Sequence, residues 1–176
     1  ESRRESLNLP IENFLELQDS SIVEAIEHAT TILASSIKAK TIVCITRTGH
    51  AARALAKFRP QTPIIAFTDD VEVQRKLSLI WGVEAGEVQA KNSLEELFDH
   101  AETELLNAGL VEKNDLFVLT TGWPSLKHGT TNLLKVITVR KEIEPQKKKP
   151  GSPLHKENLA IDTYRSKNAQ FVLDQN

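Results

Sequence analysis

Short, continuous apolar runs alternate with segments of helical periodicity along the centre of the chain, and this alternation constrains the fold more than any other feature. The clearest apolar runs are Thr41–Ile45, Pro63–Thr68 and Leu116–Thr120; Val83–Val88 is a weaker strand candidate, and Leu133–Val139 is mostly apolar. Strands that are apolar along their whole length are typical of a parallel sheet covered on both faces. The pattern therefore predicts a three-layer α/β/α domain with a five-stranded, mostly parallel sheet.

Helical segments separate these runs. Helices are predicted over residues 20–37, His50–Phe58, from the capping residues Asp69 and Asp70 to Ile80, and from Ser93 to Gly109. In the first helix the apolar residues at helical spacing are Ile22, Ile26, Ala29, Leu33 and Ile37. The connection between the fourth and fifth strands has 12 residues and no helical pattern. Because a parallel crossover normally contains a helix, we expect the fifth strand to be an antiparallel edge strand.

The residues Thr46-Arg47-Thr48-Gly49-His50, here called the anion turn, link the first strand directly to a helix. A helix N-terminus attracts anions through unpaired backbone N–H groups and a partial positive charge. Gly49 allows close approach of the backbone, and the two threonine hydroxyls, Arg47 and His50 are potential donors to a phosphate. The residues alone leave two interpretations equally open: a phosphate site, or threonines that cap the helix and shape the turn.

A second glycine-rich segment follows the fourth strand. Gly122 and Gly129 bracket a stretch with one aromatic residue and two potential cations, and we call Gly122–Gly129 the lid segment. Between the glycines lie Trp123, Pro124, Ser125, Leu126, Lys127 and His128. Such a loop can fold over an anion bound at the same edge of the sheet. The alternative is a plain surface connection with Trp123 packed on the domain.

Composition and motifs exclude several classes of function. A formal net charge of -2 gives no basic field for nucleic acid, and no apolar stretch is long enough to span a bilayer. The single cysteine, Cys44, is interpreted as a buried apolar residue, which favours a reducing, cytoplasmic compartment. The histidines are too scattered for a zinc site, Asp69 and Asp70 are better interpreted as caps than as metal ligands, and no catalytic constellation is present.

The ends of the chain differ in character from its centre. Residues 1–19 are interpreted as a linker from a preceding domain, residues 20–140 as the α/β domain, and residues 141–176 as a linker and an extension of unknown role. The chain contains no methionine, even at position 1, so it is interpreted as a segment of a larger protein or as a trimmed product.

Several motifs, in order along most of the chain, resemble the C-terminal domain of pyruvate kinase. They are Thr46–Ala52, Lys57–Pro60, Pro63–Thr68, Ile80–Val83, Asp115–Gly122 and Gly129–Val136. The resemblance implies a regulatory domain that is not itself catalytic. The family's reaction, phosphoenolpyruvate plus ADP giving pyruvate plus ATP with magnesium and potassium, takes place on a barrel domain that is absent here.

The resemblance also implies a ligand and partners. The family's effector phosphate corresponds to the anion turn, with the lid segment over it, although Ala51 removes one hydroxyl donor that the family often has. The tryptophan and arginine that hold a second phosphate in the family have no matching positions. A sugar monophosphate or AMP is therefore expected rather than a bisphosphate; the alternative is that the domain has lost its response to effectors. Homo-oligomerisation, as a tetramer in the parent enzyme, is also expected, with no nucleic-acid or membrane partner.

Overall fold

In a computed structural model, residues 22–88, 93–123 and 131–141 are described, and they contain a five-stranded sheet and four helices. The helices are α1 (Ile22–Ser36), α2 (His50–Lys57), α3 (Val71–Leu77) and α4 (Leu94–Asn107). The strands are β1 (Thr41–Ile45), β2 (Ile64–Thr68), β3 (Val83–Glu87), β4 (Leu116–Gly122) and β5 (Thr131–Thr138). The linker predicted at 1–19, and the extension predicted at 141–176 beyond Lys141, lie outside the described residues.

The sheet has the strand order β3-β2-β1-β4-β5. The pairs β1–β2, β1–β4 and β2–β3 are parallel, and β5 pairs with β4 in the antiparallel sense at one edge. The prediction of a mostly parallel sheet with an antiparallel edge strand is therefore confirmed. The central strand β1 is buried at every position, as a strand covered on both faces must be.

Helices cover both faces of the sheet, which confirms the three-layer arrangement. On one face, alanines and leucines of α1, α2 and α3 pack against Ile42 and Cys44 of β1. On the other face, Leu97, Ala101 and Leu105 of α4 pack against Val43 and the neighbouring strands. Two separate apolar clusters therefore hold the sheet between them. None of the helices in the described ranges is long and apolar enough to cross a membrane.

Helix α1 buries a different stripe from the apolar one seen in the sequence. Ile22 is 74% exposed, whereas the buried residues are Val23, Glu27, Thr30 and Ala34. Ala34 is fully buried in the cluster that packs on this face of the sheet, and Leu33 and Ile37 pack at the margin of the cluster. One consequence is that a glutamate occupies the centre of a buried face.

Element ends differ from the predictions by a few residues. Helix α3 ends at Leu77 rather than Ile80, and its N-cap Asp70 accepts hydrogen bonds from the backbone N–H groups of Glu72 and Val73. Strand β4 continues to Gly122, where it pairs with Thr131 after an irregularity in register. The sheet therefore reaches into the first residue of the lid segment.

Candidate anion-binding site

The anion turn and the start of the lid segment lie at the carboxyl ends of two adjacent strands, β1 and β4. Strands β1 and β4 are parallel neighbours with Cys44 opposite Thr120, so Thr46 and Gly122 each follow two residues later at the same edge. Strands β2 and β3 lie on one side of β1. Helix α4 then connects β3 to β4, which lies on the other side of β1. Such a switch point opens a crevice at the carboxyl ends of the strands, where open α/β sheets bind ligands.

Thr46 is buried and forms the base of the anion turn. Its backbone N–H donates to the carbonyl of Phe67 at 2.9 Å, which continues the β1–β2 ladder by one residue. Its hydroxyl oxygen accepts a hydrogen bond of 3.0 Å from the backbone N–H of Gly49. A threonine hydroxyl that accepts one bond still has its own hydrogen to donate. Thr46 therefore shapes the turn while remaining a possible donor to an anion.

Gly49 is the N-cap of α2 and adopts a left-handed backbone conformation with φ of +75°. A Cβ atom at this position would lie 3.0 Å from Leu77 and 3.3 Å from Val73, both on α3. The backbone conformation therefore favours glycine here, and a larger residue would also have to displace these side chains by a few tenths of an ångström. The N-cap makes no side-chain hydrogen bond to the helix, so no cap competes with an anion for the first N–H groups of α2.

The remaining residues of the anion turn lie nearer the solvent. Arg47 and His50 are exposed, and Thr48 is half-buried. The guanidinium of Arg53 on α2 donates a hydrogen bond of 3.0 Å from Nη2 to the carbonyl of Thr48. This bond ties the turn to the helix that follows it. This role of Arg53 could not be predicted, because an arginine one turn into a helix usually indicates only an exposed face.

The base of the lid segment is fixed by Asn132 on β5. Its Oδ1 accepts from the backbone N–H of Trp123 at 2.8 Å, and its Nδ2 donates to the carbonyl of Trp123 at 2.6 Å. The Trp123 side chain is 42% exposed at the carboxyl edge of the sheet. The other predicted residues of the lid segment lie outside the described residues: Pro124, Ser125, Lys127, His128 and Gly129.

A buried carboxyl group lies beneath this edge of the sheet. Glu27 of α1 is 0% exposed, and its Oε1 accepts a hydrogen bond of 3.2 Å from the hydroxyl of Thr120. Burial raises the pKa of Glu27 to about 8, an effect that the Thr120 bond partly offsets. Burial, together with the nearby Glu27, raises the pKa of the Cys44 thiol well above its usual value. Sequence periodicity did not reveal this group, because a glutamate in a helix usually faces water.

Metal ligation finds no support in the part of the chain that the structure describes. No group of three or more His, Cys, Asp or Glu side chains there is arranged to hold a metal ion. The carboxylate of Asp70 is engaged in capping α3, as the sequence predicted.

Comparison with known families decides the family of this chain. The model of the pyruvate kinase alpha/beta domain matches residues 24–137, which include all five strands up to Ile137. The chain belongs to the pyruvate kinase alpha/beta domain family. The resemblance to the C-terminal domain of pyruvate kinase is thereby confirmed.

Relatives of this domain are found in complete pyruvate kinases. The chain is 41% identical over 119 residues to pyruvate kinase of Bacillus licheniformis and 34% identical over 128 residues to that of Lactobacillus delbrueckii subsp. bulgaricus. These matches cover 68% and 73% of this chain but 20% and 22% of the relatives. The chain thus spans about a fifth of the length of these curated relatives.

Solved structures show the same relationship in three dimensions. Cryptosporidium parvum pyruvate kinase, solved in complex with ADP, matches with a TM-score of 0.63 and 30% sequence identity. The match covers 69% of this chain and 24% of that protein. The domain described here is therefore one part of a larger architecture in that structure.

Proposed function

We propose that this chain is a regulatory domain of a pyruvate kinase that binds the phosphate group of a small effector at the anion turn. The observation that carries the proposal is that the anion turn and the first residue of the lid segment, Gly122, follow neighbouring parallel strands at the switch point between β1 and β4. This is the edge of an α/β sheet where ligands bind, and a helix N-terminus faces it.

The donors available at the anion turn suit a phosphate. The first N–H groups of α2 have no side-chain cap, and the hydroxyl hydrogen of Thr46 is not required by its bond to Gly49. Thr48 adds a second hydroxyl, and the exposed Arg47 and His50 add positively charged or polar donors at the solvent side. Backbone, hydroxyl and charged donors together match the several acceptor oxygens of one phosphate.

The number of donors favours an effector with a single phosphate. Ala51, a buried alanine, occupies a position where the family often has a further hydroxyl. The residues that would hold a second phosphate in the family have no matching positions in the sequence. A sugar monophosphate or AMP is therefore the proposed ligand class.

Calorimetric titration with ribose 5-phosphate, glucose 6-phosphate and AMP tests this proposal. The variant Thr48→Val removes one hydroxyl without changing side-chain volume, and we expect roughly a 10- to 100-fold loss of affinity, as for a hydrogen bond to a charged group. Thr138→Val is the matched control, because Thr138 pairs with Leu116 at the amino-terminal end of β4, away from the anion turn. Absence of binding by all three phosphates would refute effector binding.

The reaction of the complete protein is also a proposal, because the chain spans about a fifth of its relatives. We propose that the parent enzyme carries out the glycolytic transfer of phosphate from phosphoenolpyruvate to ADP in the cytoplasm. Magnesium and potassium would act on the barrel domain rather than on this one. Assay of the full-length protein for pyruvate formation, with and without each metal ion, tests this assignment.

An interaction module without effector binding is the second candidate, and the edge strand β5 favours it. Strand β5 pairs with β4 on one side, and no other strand within the described residues pairs with its other side. Val136 on this strand is 41% exposed. An edge strand with exposed apolar side chains is a template for pairing with a second copy. In the parent enzyme such pairing would join subunits of the proposed homo-oligomer.

Light scattering at high protein concentration tests the second candidate. We expect a dimer or a larger oligomer, and its loss in Val136→Glu. The matched control is Leu79→Glu, which places the same charge at an apolar residue that is 88% exposed and far from β5 in sequence. A monomer at all concentrations would count against self-association through this domain alone.

A further inference from the structure

Glu27 is placed between the two strands that carry the candidate site. Its Oε1 is bonded to Thr120 of β4, while its Oε2 is buried without any hydrogen-bond partner. Burial, and to a smaller extent the charge of Glu27, raises the pKa of the Cys44 thiol on β1. Along the two strands, Thr46 follows Cys44 and Gly122 follows Thr120, each by two residues. The carboxyl group is therefore bonded to β4 two residues before that strand reaches Gly122, the first residue of the lid segment.

The charged groups on the surrounding elements are engaged elsewhere. On α1 itself, Glu24 forms an ion pair of 2.7 Å with Lys57 of α2, and His28 stacks on Phe58 at 4.6 Å. On β5, the Lys135 ammonium lies 4.1 Å from the centre of the Phe98 ring.

The other cations of α2 lie at or near the anion turn. Arg53 bonds Thr48 there, and His50 is exposed. None of the ion pairs formed in the described ranges involves Glu27. An ionised Glu27 would therefore be a buried charge with one hydroxyl as its only described donor.

We propose that Glu27 is a pH-sensitive switch, whose ionisation loosens α1 from β1 and β4 and thereby weakens phosphate binding at the anion turn above it. The phosphate part of this inference rests on the proposed function, whereas the loosening of α1 does not. The physical cause is the cost of a buried carboxylate without compensating donors, which is relieved when the helix separates and admits water.

Linkage makes the switch reciprocal. A phosphate at the anion turn places negative charge near Glu27 and so disfavours the ionised carboxylate. Binding would then raise the pKa of Glu27 from its value of about 8 in the free domain, and the protein would take up a proton. The ionised form would bind phosphate more weakly, roughly fivefold or more, which is the lower range of coupling between two sites.

The first arm of the test needs no ligand. Amide hydrogen exchange of α1 is measured at about pH 6.5 and about pH 9, on either side of the transition, after correction for the intrinsic effect of pH on exchange. We expect α1 to lose protection at the higher pH in the wild type but not in Glu27→Gln, which imitates the neutral acid. Glu95→Gln, at an exposed position on α4, is the control. Equal protection in the wild type at both values would overturn the switch.

The second arm separates the switch from the proposed function. Ribose 5-phosphate is titrated calorimetrically at both pH values, in two buffers with different heats of ionisation. We expect proton uptake and the loss of affinity at high pH in the wild type, and neither in Glu27→Gln. If the affinity for ribose 5-phosphate changed with pH in the same way in both proteins, the coupling between Glu27 and the anion turn would be overturned, although phosphate binding would stand. Loosening of α1 without any binding at low pH would refute the proposed function instead.

Discussion

The hydroxyl of Thr120 on β4 donates a hydrogen bond of 3.2 Å to Oε1 of Glu27 on α1, within the fully buried face of the sheet. The second carboxyl oxygen of Glu27 has no partner. A protonated carboxyl group tolerates this environment, whereas a carboxylate does not. Stability near neutral pH should therefore depend on the protonation of one residue.

The stability of the domain should fall as pH rises from about 4.5 to about 8. In this range the folded state keeps the proton on Glu27, whose pKa is raised from 4.5 to about 8, while the unfolded state has lost it. The free energy of unfolding should decline by about 1.4 kcal/mol per pH unit from this residue. Denaturant unfolding of the wild type and of Glu27→Gln at several pH values measures this contribution as the difference between their free energies of unfolding. Glu84, with a pKa raised to about 7 by burial, acts in the same direction in both proteins and cancels. A constant difference across this range would contradict the prediction.

Gly49→Ala should destabilise the domain and abolish phosphate binding. The left-handed backbone costs an alanine about 1–2 kcal/mol, and the new Cβ would press on Leu77 and Val73. Gly109→Ala is the control, because Gly109 has a similar φ of +66° at the end of α4. We expect thermal unfolding to show a larger loss of stability in Gly49→Ala than in Gly109→Ala. Calorimetry should show unchanged phosphate binding in Gly109→Ala. Equal losses of stability would show that the contacts with α3 are unimportant.

Arg53→Gln should weaken phosphate binding by roughly 2- to 10-fold, the effect of one ordinary hydrogen bond. The guanidinium holds the Thr48 carbonyl at 3.0 Å and so keeps the turn in one conformation. Arg75→Gln on α3 removes the same charge from an exposed position and is the control. Titration of both variants with ribose 5-phosphate shows whether affinity depends on the Arg53 bond that orients the turn or only on the loss of one positive charge. Equal weakening by the two substitutions would favour the charge effect.

Asn132→Ala should release the base of the lid segment without unfolding the domain. Both backbone hydrogen bonds to Trp123 would be lost, at a cost of about 1–2 kcal/mol for two partly exposed bonds. In a Trp81→Phe background, Trp123 is the only tryptophan, and its fluorescence should become more solvent-like and more easily quenched. Asn114→Ala, at the opposite edge, should leave the emission unchanged. An unaltered spectrum in Asn132→Ala would show that the clamp does not position Trp123.

Much of the architecture could be predicted from the sequence because its signals are local. Continuous apolar strands indicated a parallel sheet, and the helix-free connection before β5 indicated the antiparallel edge. The helix predicted from Ser93 to Gly109 is present as α4, and its buried residues Leu97, Ala101 and Leu105 recur every four residues, as one face of a helix requires. These elements were predictable because propensity, periodicity and packing agree.

The burial of Glu27 could not be predicted, because periodicity in the sequence favours the stripe containing Ile22. Packing on the sheet instead buries Val23, Glu27, Thr30 and Ala34 and leaves Ile22 exposed. The anion turn shows a different limit. The Thr46 hydroxyl shapes the turn by accepting a hydrogen bond from the Gly49 N–H and can still donate one, so the two interpretations do not exclude each other and phosphate binding stays a prediction. The direction of the hydrogen bond between Gly49 and Thr46 is visible only in the three-dimensional structure.

The most direct test of the account is a titration of the isotope-labelled domain with ribose 5-phosphate, followed through its backbone amide NMR signals. A phosphate on the anion turn should shift the amides of Thr48, Gly49, His50 and Ala51 most, in a saturable way, and Thr48→Val should reduce the affinity that these shifts report. The absence of saturable shifts at these residues, or saturable shifts only at another part of the domain, would contradict the assignment of the anion turn as an effector site.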